Sequence, residues 1–94
     1  DPDRYFYLNE RFHQILYRLS HNAFLEEQVR HLQRRLRPYR RLQLRVRQRV
    51  GHSFEEHRAI VDAIMAGNEV LAAEHLRNHI QIQGERFSDL MASL

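Results

Sequence analysis

The chain has no cysteine and no lysine, and only three glycines and two prolines in 94 residues. Without cysteine there is no disulfide and no thiolate chemistry, which suits a reducing cytoplasm. No run of about 18 apolar residues occurs, so no helix is expected to span a bilayer, and a cytoplasmic protein without a membrane partner is the expectation. The opening stretch DPDRYFY has neither the basic leader nor the apolar segment of a secretion signal. Few glycines and prolines, and no alternating segment bounded by turns, leave little room for strands. The lack of lysine makes all 15 basic residues arginine, against 12 acidic ones.

Apolar residues recur at helical spacing in four blocks. The first runs from about residue 3 to 20, with Leu8, Phe12, Ile15, Leu16 and Leu19 on one side. The stretch SHN ends it, and Asn22 is a good N-cap for the next block, with Glu26 and Glu27 near the positive end of its dipole. That second block extends from residue 23 to about 50 along Leu25, Val29, Leu32, Leu36 and Tyr39, with a kink or break expected at Pro38. GHS separates it from a third block, which SFEE opens as a capping box of Ser53 and Glu56, running from about 54 to 66. Gly67 stops that helix, and Asn68 caps a fourth from 69 to about 91. The expected fold is all-α, an antiparallel helical bundle of about four long helices in one domain, 1–94.

Histidines interrupt two apolar stripes. His57 falls among Phe54, Ile60, Val61 and Ile64, and His79 among Ala72, Leu76, Ile80 and Phe87. They lie about 10.5 residues before and about 11.5 after the centre of the turn, so an antiparallel hairpin sets them within about 1.5 Å of the same height. His13 lies on or beside the buried side of the first helix, with Asn9 one turn before it. Inward imidazoles at matched height, with a carbonyl oxygen nearby, are metal-site chemistry for Zn, Ni, Co, Mn or Fe. A lone inward histidine is also commonly a core residue bonded to a carbonyl, and periodicity does not place His13 against the other two. His21, His31, His52 and His75 read as surface or capping residues.

The stretches NERFH, SHNAFL and SFEEHRAIVDAIMAGNEVLAAEHLRNHI, with the arginine-rich helix between them, resemble the FCD-type effector-binding domain of FadR-subfamily GntR transcription regulators. The family pattern is Asp-x-x-x-His on a helix, a small-residue-Asn-x-x-Leu turn, Glu-His near a helix start, and a final His 22 residues on, as from His57 to His79. The resemblance covers essentially the whole chain. It implies a divalent metal ion, Zn or Ni, held by Asn9, His13, His57 and His79. It also implies a small carboxylate metabolite on the open metal positions, whose binding changes how an attached winged helix-turn-helix dimer sits on operator DNA. Asn9 departs from the family aspartate, and an amide oxygen is the poorer ligand for a dication.

The family usually has one or two helices before this point and a DNA-binding domain before those. The chain is therefore expected to be a fragment truncated at its N-terminus, a sensing and homodimerising domain that meets DNA only through an absent domain. Gln33 and Arg37, flanking the second stripe, are candidates for the distal end of the effector, the arginine by a two-pronged contact. Two other functions fit parts of the pattern. Open metal positions could activate water in a helical metalloenzyme, but no inward carboxylate stands beside the histidines as a general base, and no enzyme is expected. The nine arginines between residues 30 and 49 could instead serve an arginine-rich adaptor for nucleic acid.

Overall fold

A computed structural model describes residues 1–93. It is all-α among these residues, with α1 at Pro2–Arg18, α2 at Ala23–Gln43, α3 at Arg49–Met65 and α4 at Glu69–Ser93. The chain divides into two compact units, a first hairpin over Asp1–Arg45 and a second from Val46 onward. No described helix is long and apolar enough to cross a membrane.

In the first hairpin Asp1 caps α1, its carboxylate accepting from the Asp3 and Arg4 amides, and Pro2 occupies the first turn, where its missing N–H costs nothing. The connection turns through His21 at φ 55°, and Asn22 caps α2 by accepting from the Leu25 amide at 3.1 Å. α2 does not break at Pro38 as expected from the sequence. Its end is tied to α1 instead: Arg41 lies 4.7 Å over the buried Phe6 ring and donates to the Tyr7 hydroxyl, and Arg45, just past the helix, pairs with Asp3. Those contacts hold the helix across the one hydrogen bond that proline removes.

The second hairpin begins earlier than the sequence suggests. α2 ends at Gln43 and α3 starts at Arg49, after Gln48 in the left-handed region at φ 66°. Gly51, His52 and Ser53 therefore lie inside α3, and Ser53 and Glu56 form no capping box. The reason is burial: Arg49, Ser53, His57 and Ile60 share one face of α3 and all are buried. Their packing outweighs the roughly 1 kcal/mol that a helical glycine costs. α3 ends in a Schellman motif, the Asn68 amide donating to the Ala63 carbonyl and the Gly67 amide to that of Ile64, with Gly67 at φ 70°. Asn68 then caps α4 through the Leu71 amide, as its sequence position indicated.

The buried apolar residues are few: Phe6, Leu44, Ile60 and Ala63. Of the expected stripe residues only Ile60 is buried; more of the others are exposed than half-buried, and Leu8, Ile15, Leu19, Leu25, Leu32, Phe54 and Ile80 are each more than half exposed. Much of the interior of each hairpin is polar instead, built from His13 and Gln43 in the first and Arg49, Ser53, His57 and His79 in the second.

Candidate metal centre

The first hairpin places Asn9 and His13 one turn apart on α1. His13 is buried, its Nδ1 3.4 Å from the Tyr17 hydroxyl and its ring edge-on to Phe12 at 5.7 Å between centroids. Burial pushes the Tyr17 hydroxyl above its ordinary value, the charge of Arg40 offsetting part of the rise, so Tyr17 is neutral at physiological pH. Asn9 is half-buried as a residue, yet its Oδ1 is sealed from solvent and has no hydrogen-bond partner among the described residues. An acceptor left so costs about 1–3 kcal/mol, and a cation or donor placed against it would recover that cost.

The second hairpin brings His57 and His79 face to face, as the height match predicted. Their Nε2 atoms are 3.2 Å apart and the rings meet nearly perpendicular, 4.7 Å between centroids. His79 is fully buried and His57 nearly so. Burial, and then the charge of His79, hold His57 down at about 4, with Arg49 acting the same way and Glu56 opposing. A ring that stays neutral at pH 7 keeps a lone pair for a metal.

Behind this pair stands a cluster that sequence reasoning missed. Glu56 accepts from His79 Nδ1 at 2.7 Å and is clasped by the Arg49 fork at 2.9 and 3.1 Å. Burial alone would raise the Glu56 carboxyl. The hydrogen bonds and charges of Arg49 and His79 outweigh that and hold it below the ordinary carboxylate value. The available signal was the seven-residue spacing of Arg49 and Glu56, two turns apart on one helix face. Glu56 is thereby committed to two cationic or donor partners and is not a free general base.

Each hairpin taken by itself carries buried donors of a kind that suits a divalent ion, His13 and the partnerless Asn9 Oδ1 in the first, His57 and His79 in the second. The remaining candidates line a groove of about 490 Å³ on the first hairpin, with walls that include Glu10, Gln33, Arg34 and Arg37. There Arg37 is exposed and its fork already holds Glu10, at 2.7 and 2.8 Å. Gln33 is half-buried. His21, His31 and His52 are exposed and His75 is half-buried.

The arginine-rich stretch is largely occupied within each hairpin. Arg30 pairs with Glu26, Arg37 with Glu10, Arg45 with Asp3 and Arg49 with Glu56, while Arg40 donates to Gln43 and Arg41 covers Phe6. A nucleic-acid stripe would keep those forks for phosphates.

Helical hairpins lined with buried histidines define an all-α domain with the makings of a metal site. The family model for the FCD domain matches residues 1–82, and the chain belongs to that family. FCD domains are effector-binding domains of transcription regulators. A search of the curated proteins finds no match. A search of the solved structures finds none either.

Proposed function

We propose that this chain is the ligand-sensing and dimerisation domain of a GntR/FadR-type transcription regulator. In this reading residues 1–94 act as one FCD domain, in which Asn9, His13, His57 and His79 hold one divalent ion, Zn or Ni. The observation that carries it is Asn9 Oδ1, buried and partnerless one turn before a buried histidine, in a chain whose other two inward histidines already face each other. In this reading His13, His57 and His79 each offer one ring nitrogen to a shared ion.

A bound ion supplies a Lewis-acidic anchor with positions left open for a small carboxylate. This chain's own residues do the rest. Asn9 contributes an uncharged oxygen, so the site carries more net positive charge than one with a carboxylate there and favours an anionic effector. Arg37 and Gln33 take the distal end of that effector, whose carboxylate displaces Glu10 from the Arg37 fork. Effector binding then biases a winged helix-turn-helix domain, outside these residues, on operator DNA.

The test is elemental analysis of purified protein, followed by titration of Zn and Ni into metal-stripped samples. Stoichiometric metal is expected in the wild type and not in His57→Ala or His79→Ala. A protein that purifies without metal and melts at the same temperature with or without added Zn or Ni refutes the reading.

A further inference from the structure

Two charged residues of the second hairpin, Arg49 and Glu56, have no place among the metal ligands, yet they are built as carefully as the ligands themselves. Arg49 is buried, its side chain only 7% exposed, and a buried guanidinium survives only if its charge is met. Glu56 meets it with both oxygens, at 2.9 and 3.1 Å. The oxygen at 3.1 Å from Arg49 Nη2 is the same Oε1 that lies 2.7 Å from His79 Nδ1. One carboxylate thus joins a buried arginine to a fully buried histidine.

The chemistry fixes a direction. A carboxylate clasped by a guanidinium fork is ionised and only accepts, so His79 Nδ1 must donate to it. In a neutral imidazole that leaves the lone pair on Nε2, and Nε2 is the atom facing His57 Nε2 at 3.2 Å. The bond to Glu56 also fixes the plane of the ring, and Arg49 in turn fixes Glu56, since two parallel bonds do not swivel. None of this is needed to fill space: an apolar pair would pack there without an ionic cluster.

We infer that Glu56, locked by Arg49, is a positioning residue that holds His79 as the Nδ1–H tautomer and presents its Nε2 lone pair for metal ligation. The inference rests on the proposed metal reading in one respect only, that His79 ligates through Nε2. A carboxylate behind a ligating histidine raises its basicity as well as orienting it, and loss of such a partner costs about 10- to 100-fold in metal affinity.

Glu56→Ala would leave Arg49 buried and uncompensated, which is enough to destabilise the hairpin strongly by itself. The working variant is therefore the double substitution Arg49→Met with Glu56→Leu, which removes both charges together, accompanied by Glu56→Asp as the conservative change. Two readouts are taken: nitrogen-15 chemical shifts of the histidine rings in metal-free protein, and zinc affinity by competition with a chromophoric chelator. The wild type should show His79 protonated at Nδ1, and the double variant should lose that preference and bind zinc about 10- to 100-fold more weakly. Glu56→Asp should retain the Nδ1–H form.

A wild-type His79 protonated at Nε2 overturns the inference directly, without any variant. So does a folded double variant with unchanged tautomer and unchanged zinc affinity. A wild type with the Nδ1–H tautomer that binds no zinc overturns the metal reading, and with it the ligand role of Nε2. The two failures are therefore told apart.

Discussion

Acidifying the metal-free protein should weaken it through His57, and the size of the effect can be worked from the site. Burial and the neighbouring His79 hold the His57 imidazole down at about 4, against an ordinary 6.5. The unfolded chain takes up a proton at this ring as pH falls through about 6.5, while the folded chain resists until about 4. The unfolded state therefore binds more protons across that interval, and stability falls as pH falls. At about 1.4 kcal/mol per pH unit of displacement, the ceiling is about 3 kcal/mol, and residual water access brings it nearer to about 2. Glu56 acts lower. Its folded carboxyl is depressed, so its contribution is present above the ordinary 4.5 and is lost as pH drops through the lower folded value.

The assay is urea denaturation followed by far-ultraviolet circular dichroism on chelator-stripped protein, stepped from about pH 7 to about pH 4. His57→Phe serves as the control, since it keeps a ring of similar bulk and removes the titration. The wild type should lose about 2 kcal/mol more than the control between about pH 6.5 and pH 4. Parallel loss in the two proteins would mean that His57 titrates normally, and the reasoning from burial would be wrong.

Asn9→Asp should move the two states in opposite directions. Metal-free protein loses about 1–3 kcal/mol by burying an unpaired acid, and zinc binds more tightly; a variant that binds zinc no better, by chelator competition, would return Asn9 to a packing role. Gly67→Ala meets no atom within 4 Å, so its cost is the left-handed backbone alone, about 1 kcal/mol, read as a fall of about 4–8 °C in Tm. Metal-loaded protein should bind a di- or tricarboxylate in calorimetry, and Arg37→Ala should weaken that binding while leaving metal content unchanged. The exposed apolar side chains of α1 and its C-cap, among them Tyr7, Leu8, Ile15 and Leu19, predict a homodimer by sedimentation at micromolar concentration, and a stable monomer would refute it.

The caps and the turns were legible because their causes are local. Asn22, Gly67 and Asn68 act on amides and carbonyls within a few residues, and the chain does what those residues dictate. The facing of His57 and His79 was legible for a related reason: once a tight turn is fixed, height in a hairpin is arithmetic. The role of Glu56 was not. S-x-x-E is a local pattern with a local meaning, whereas the partners of Glu56 are Arg49 seven residues back and His79 23 residues on. The start of α3 failed for the same cause, because a glycine next to His52 reads as a break until the burial of Arg49 and Ser53 is known. Which apolar residues are buried was also beyond reach, since periodicity gives a face but not what covers it.

The turn at Gly67 bears on how fast the histidine pair can form. Its partners are close in the chain, and the longest link among the named contacts of the second hairpin is the 23 residues from Glu56 to His79. Contacts of such short range belong to the regime of microsecond to millisecond folding. The hairpin can close outward from Gly67 like a zipper, seating Ile60 first, the Glu56–His79 bond about one turn later and Arg49 about three turns later. Synthesis delivers only about 5–20 residues per second. The pair is therefore in register almost as soon as α4 leaves the ribosome, so on the proposed reading the supply of ions, rather than the search of the chain, would set when these two histidines take up metal.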